Sequence, residues 1–252
     1  MRLGTLDWGI GGLSVHRALL EAGVAESAVY LSDAGFTPYG KLDDDALAAR
    51  VADRVEFLRS LGCTHVVLGC NAASTVIDHP RVQAEAAELS DLLGVIAPAV
   101  EAVRAARPAD VAILGGRRTV ESDAYGAPLR EAGVQVRQRV AQPLSALIEA
   151  GVLSGPALDA ELEEICAPVA DARAVVLACT HYPAIASAIT ARFAQLELTV
   201  DPAVETARVA VERWGARHPA RVVDDARTSG DPIASERAAH AAFGAEVRFV
   251  PS

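Results

Sequence analysis

Short apolar runs alternate with segments of helical periodicity along almost the whole chain, and that alternation admits few folds. Strands are expected at residues 2–6, 28–32, 65–69, 94–97, 111–114, 134–140, 174–178, 198–200 and 221–224. Several of these runs are apolar on both faces, the mark of parallel strands covered by helices on each side. Helices fill the intervals. One is expected over residues 12–22; in another, Leu47, Val51, Val55 and Leu58 recur at helical spacing behind Asp43, Asp44 and Asp45, whose charges suit a helix N-terminus. The fold class is α/β.

Two internal echoes divide the chain further. Residues 98–106, PAVEAVRAA, match residues 202–210, PAVETARVA, at six of nine positions, and in each a proline is expected to follow a strand and open a helix. Residues 66–70, VVLGC, echo residues 175–179, VVLAC, so a cysteine ends each of two apolar strands 109 residues apart. Echoes at nearly equal offsets point to two related α/β lobes with the functional site between them, where strand C-terminal ends meet.

Composition excludes several partners. The 252 residues are 51% hydrophobic and carry 23 Lys plus Arg against 33 Asp plus Glu, a formal charge of -10 that repels nucleic acid. The two charge-free runs of membrane-span length, 60–77 and 174–191, contain His65, Asn71, Ser74 and Thr75, and Thr180 and His181, so no membrane partner is expected. Asp7 interrupts any N-terminal signal-like apolar stretch, which suggests a cytoplasmic protein with reduced thiols. Cys63, Cys70, Cys166 and Cys179 form no Cys-x-x-Cys pair or zinc-finger spacing, so neither a metal nor a disulfide is expected.

Cys70 and Cys179 both stand where a buried strand gives way to a helix, and both are followed by polar residues. A helix N-terminus lowers a thiol pKa and supplies free amides to an anion. Either cysteine alone reads as a small buried hydrophobe; as a matched pair they favour chemistry. Cys63 and Cys166 lack this context and read as packing residues. Residues 6–12, LDWGIGG, form a strand end, an acid and a glycine-rich turn, yet Ser14 stands where a dinucleotide fingerprint needs glycine, and no Walker lysine follows. Asp7 is either a cap or a carboxylate near a thiol.

These residues fall in the order of a known family. Asp7-Trp8-Gly9-Ile10-Gly11-Gly12, Thr37-Pro38-Tyr39-Gly40, Cys70-Asn71, Ala112-Ile113-Leu114-Gly115 with Thr119, Cys179-Thr180-His181 and Gly230-Asp231-Pro232 resemble the motifs of the cofactor-independent aspartate/glutamate racemase superfamily, glutamate racemases most closely. The resemblance runs nearly end to end. It implies two pseudo-symmetric lobes, each a mostly parallel sheet flanked by helices, formed by residues 1–97 plus 204–252 and by residues 98–203. The active site would lie in the cleft between them.

The resemblance also implies racemisation of a small acidic amino acid without cofactor or metal. One thiolate removes the α-proton and the other thiol returns one on the opposite face, a two-base scheme that needs two groups of similar basicity astride one carbon. By resemblance, Asp7 assists Cys70, His181 assists Cys179, and Glu149 orients His181. Asn71, Thr119 and Thr180 resemble donors to the substrate α-carboxylate, and Pro38, Tyr39 and Gly40 the segment that receives the distal carboxylate. Trp8, Ala72 and Gly116 depart from the family, which usually has small hydroxyl residues there. Glutamate is the expected substrate; aspartate or another carboxylate, or a silent ligand-binding protein of the same fold, remain alternatives. A homodimer is compatible with the resemblance.

Overall fold

The computed structural model describes residues 1–216 and 223–252. Among these described residues ten strands follow in chain order: β1 (Arg2–Asp7), β2 (Ser27–Ser32), β3 (His65–Leu68), β4 (Asp91–Gly94), β5 (Asp110–Gly115), β6 (Gln135–Val140), β7 (Ala174–Ala178), β8 (Leu198–Val200), β9 (Val223–Thr228) and β10 (Phe249–Pro251). All their pairings are parallel. The expectation from two-sided apolar runs therefore holds, most fully in β7, where all five residues are buried.

The strands form two sheets, in the orders β10-β9-β2-β1-β3-β4 and β6-β5-β7-β8. Without the two C-terminal strands the first order becomes β2-β1-β3-β4, the second sheet's order step for step. Cys70 follows β3 and Cys179 follows β7, so the two cysteines occupy equivalent places in two copies of one topology. The other echo marks the two crossings between sheets. Helix Ile96–Ala106 packs Ala99, Val100 and Val103 on the second sheet through Val111 and Ile113, whereas helix Pro202–Trp214 packs Ala203, Ala207 and Ala210 with Leu3 and Val67 of the first sheet and Leu19 of helix Leu13–Glu21. The two helices also pack against each other.

Several boundaries differ from expectation. The run at 94–97 is not a strand: β4 ends at Gly94 and the helix begins at Ile96, because an apolar run this short fits a buried helix turn as well as a strand. Pro98 therefore sits at the third helical position and does not open the helix, while Pro202 does at the first, behind the Asp201 cap. Of the strand expected at 221–224, residues 221–222 lie outside the described region, and β9 continues to Thr228. Its polar residues find partners in Asp224–His16 and Arg227–Asp225 pairs, which hides the strand from a hydropathy reading. The three-residue β10 carries no periodic signal. Cys63 and Cys166 are buried, and burial pushes both thiols up to about 11, as suits packing residues. Among the described residues no helix is long and apolar enough to cross a membrane, and no cluster of three His, Cys, Asp or Glu could hold a metal ion.

Candidate active site

In parallel sheets every strand presents its following loop at the same end, so loops after several strands converge at the carboxyl edge. Here the segments after β1, β2, β3, β5, β6 and β7 line one cavity of about 720 Å³, within the usual range for small-molecule sites of about 300–1,000 Å³. Every site residue expected from sequence lies on its wall: Asp7, Trp8, Pro38, Tyr39, Gly40, Cys70, Asn71, Ala72, Thr119, Glu149, Cys179, Thr180 and His181.

On the side of the first sheet, Asp7 ends β1 and is almost fully buried. Its Oδ2 accepts the Gly12 amide at 2.8 Å and the Gly9 amide at 3.2 Å. Asp7 thus both caps the glycine turn and adjoins the Cys70 thiol, each group acting on the other's protonation. Burial raises the Asp7 pKa against the opposing pull of His181 and the Gly12 amide. Cys70 is raised well above an ordinary thiol, first by burial and then by the neighbouring Asp7 charge, while the amides of Ala73 and Trp8 act in the other direction. The expected lowering by a helix N-terminus is therefore overturned at Cys70. Helix Asn71–Ser74 has only four residues, and its amides do not outweigh burial of the thiol beside a carboxyl group.

On the side of the second sheet, Cys179 Sγ lies 3.6 Å from His181 Nδ1, and His181 Nε2 lies 2.6 Å from Glu149 Oε1. The chain after Cys179 enters a 3₁₀ turn, Tyr182–Ile185, that runs into the short α-helix Ala186–Thr190. Burial pushes the His181 pKa down, but Cys179 and Glu149 outweigh it and hold it well above the ordinary imidazole value. A histidine that holds its proton more tightly than a free imidazole therefore stands beside Cys179 and a carboxyl group beside Cys70, so the two sulfurs face unlike partners.

The glycine turn explains itself through this cluster. A Cβ on Gly9 would meet Glu149 Oε1 at 2.5 Å, and one on Gly11 would meet His181 Nδ1 at 2.5 Å. Glycines there let a pair carried by the other sheet close onto β1, a purpose unrelated to nucleotide phosphates.

The rest of the wall is held rigidly. Asn71 is buried; its Oδ1 accepts the Tyr125 hydroxyl at 2.6 Å, and its Nδ2 has no partner among the described residues. The segment carrying Pro38, Tyr39 and Gly40 is tied to Asp33, which accepts from Tyr39 (2.9 Å), Ser229 (2.9 Å) and both Nε and Nη2 of Arg50 (2.7 and 2.6 Å). Trp8 Nε1 donates to the Phe36 carbonyl at 3.0 Å, pinning the indole to the same segment.

A family model for Asp/Glu/Hydantoin racemase matches residues 14–213. The chain belongs to this family. It is 33% identical to a glutamate racemase of Deinococcus radiodurans over 82% of this chain and 72% of that one, and 31% identical to a glutamate racemase of Beutenbergia cavernae over 97% and 90%. A crystal structure of glutamate racemase from Thermus thermophilus in complex with β-chloro-D-alanine superposes with a TM-score of 0.85 at 28% identity, covering 100% of this chain and 96% of that one.

Trp8, Ala72 and Gly116, expected from sequence to depart from the family, all line the cavity. So do Lys41, Arg117, Arg118, Gln142 and Ser145, which the sequence reading missed. Arg117 and Arg118 had one available signal, two adjacent cations inside a motif bounded by Gly115 and Thr119. Arg118 links the sheets, donating to Thr75 Oγ1 (2.9 Å), the Leu42 carbonyl (2.7 Å) and Asp44 (2.6 Å). Gln142 carried no signal, since its place depends on how the segment after β6 folds back toward Gly116.

Proposed function

We propose that this racemase interconverts L- and D-glutamate by two-base proton transfer at Cα, with Cys70 and Cys179 as the bases. The observation that carries the reading is the delivery of two sulfurs, from equivalent strands of two like sheets, into one cavity, one beside a carboxyl group and the other beside an imidazole. In one direction a thiolate takes the α-proton and becomes a thiol, and the opposing thiol gives its proton to the other face and becomes a thiolate. Product release leaves the pair in the complementary protonation state, ready for the reverse reaction. Asp7 serves the Cys70 proton and His181, oriented by Glu149, that of Cys179. The unpartnered Asn71 amide, with Thr119 and Thr180, would receive the α-carboxylate, because a buried donor without an acceptor costs about 1–3 kcal/mol until a ligand supplies one. We read the lobes as residues 1–97 with 204–252 and residues 98–203, since the sheets draw their strands from those spans.

Deuterium incorporation at Cα of L- and D-glutamate tests the reading. The wild-type protein is expected to exchange and racemise both enantiomers, and Cys70→Ala and Cys179→Ala are each expected to lose racemisation while retaining at most exchange on one face. Full bidirectional activity in either variant removes that sulfur from the mechanism. Exchange confined to aspartate or another acid would redirect the substrate assignment and leave the two-thiol chemistry standing.

A further inference from the structure

Arg118, the second residue of helix Arg117–Glu121, has three acceptors, and all three belong to the first sheet's side of the cavity. Its Nε donates to Thr75 Oγ1 at 2.9 Å, its Nη1 to the Leu42 carbonyl at 2.7 Å and its Nη2 to Asp44 Oδ1 at 2.6 Å. A guanidinium is planar and always charged, so one fork with three donors fixes its acceptors in relative position as well as attracting them. The Arg118 side chain is only 10% exposed, whereas that of Asp44 is 84% exposed. Solvent therefore weakens the ion pair, and the hold lies in the bonds to Thr75 and Leu42.

Each of those two acceptors ends a segment that carries site residues. Thr75 follows helix Asn71–Ser74, and its own hydroxyl donates to the Ala72 carbonyl at 2.7 Å, which leaves the oxygen's lone pairs to Arg118. The Leu42 amide closes the turn Tyr39–Lys41 on the Tyr39 carbonyl at 3.3 Å. Asn71 is also reached from the second sheet by Tyr125, and Tyr39 is tied to its own sheet through Asp33. Among the described residues, however, only Arg118 makes hydrogen bonds from the second sheet's segments to residues 38–44. Its chain neighbour Thr119 is buried on the cavity wall.

We propose that Arg118 is a positioning residue for the substrate: it clasps the turn Tyr39–Lys41 and helix Asn71–Ser74 to the segment carrying Thr119. The distal-carboxylate segment and Asn71 are thereby held at a fixed distance from Thr119. The inference rests on the reading of the cavity as a glutamate site. Neither substrate carboxylate changes charge during proton transfer at Cα, so a loosened wall weakens the binding of substrate and transition state alike, a loss read in KM and not in kcat.

The test compares KM, kcat and melting temperature, with L- and D-glutamate as substrates, in wild type, Arg118→Ala, Arg118→Lys and Asp44→Ala. Arg118→Ala is expected to raise KM about five- to twentyfold, with kcat within about threefold of wild type. Arg118→Lys keeps the cation but presents a point in place of a fork, and a KM about three- to tenfold higher is expected; this variant carries the test if Arg118→Ala does not fold. Asp44→Ala is expected to stay within about twofold of the wild-type KM, because the pair it breaks faces water. KM within about twofold of wild type in both Arg118 variants, or a fall in kcat at unchanged KM, overturns the proposal. A KM in Asp44→Ala as high as in Arg118→Ala overturns the assignment of the hold to Thr75 and Leu42. A wild type that fails to exchange glutamate at Cα overturns the functional reading instead, and the clasp is then judged without substrate, by the rate at which iodoacetamide alkylates Cys70, read by mass spectrometry. Faster modification in Arg118→Ala than in wild type upholds the clasp, and equal rates overturn it.

Discussion

His181 stands between two partners, with Nε2 2.6 Å from Glu149 Oε1 and Nδ1 3.6 Å from Cys179 Sγ. The pair joins a helix that follows β6 to the loop that follows β7, and Cys179 and Glu149 together raise the imidazole's pKa against the effect of burial.

Glu149→Gln removes one of the charges that hold the His181 proton and is expected to lower kcat about 10- to 100-fold, chiefly in the step that uses Cys179. The pH dependence of stability has a definite sign. A histidine whose folded pKa is raised stabilises fully below its unfolded value near 6.5 and ceases to do so as pH rises through the higher folded value. Melting temperatures of wild type and Glu149→Gln should therefore differ more at pH 6 than in the alkaline range. An equal difference at both ends would show that the ion pair does not titrate with folding.

Asp7 behaves in the opposite sense. Its folded pKa is raised above 3.8, so the native state binds the proton more tightly than the unfolded chain, and stability is lost as pH climbs from about 3.8 through the folded value. Asp7→Asn removes that penalty and keeps an oxygen for the Gly9 and Gly12 amides. It is expected to melt at least as high as wild type at pH 7 while losing about 100-fold or more in kcat. A clear loss of stability at neutral pH would instead make capping the dominant role of Asp7.

Trp8 is expected to act through its hydrogen bond as well as its bulk. Trp8→Phe keeps an aromatic wall and removes the 3.0 Å bond to the Phe36 carbonyl, which holds the segment leading to Tyr39 and Gly40. Loss of about 0.5–1.5 kcal/mol of positioning corresponds to a KM about two- to tenfold higher. An unchanged KM would leave the segment's position to Asp33 alone.

Asp33 is fully buried and accepts from Arg50, Tyr39 and Ser229. Asp33→Ala leaves the Arg50 guanidinium without its carboxylate and is expected to destabilise the protein by about 3 kcal/mol, read from denaturant unfolding, together with a higher KM. Asp33→Asn should retain part of both, because an amide oxygen still serves Tyr39 or Ser229.

The α/β class, the parallel strands and the duplicated plan follow from the residues in order, because these depend on local periodicity and on echoes that survive in the chain. Matched cysteines at the ends of β3 and β7, with their polar neighbours, were legible for the same reason, since a parallel strand delivers the residue after it to the carboxyl edge wherever the strand lies in the sheet. The rest of the site depends on distances across the two sheets. Glu149 meets His181 because Gly9 and Gly11 admit them against β1; Cys70 is raised because burial beside Asp7 outweighs a four-residue helix; Asp33 anchors the Tyr39 segment through an arginine seventeen residues away and a serine near the C-terminus. Arg118 is the clearest case, one of two adjacent arginines of which the linear order singles out neither. Its meaning arises only from Thr75 and the Leu42 carbonyl, brought to it from the other sheet, because desolvation, donor direction and the meeting of distant segments are properties of packed neighbours, and a linear chain does not record which residues those will be.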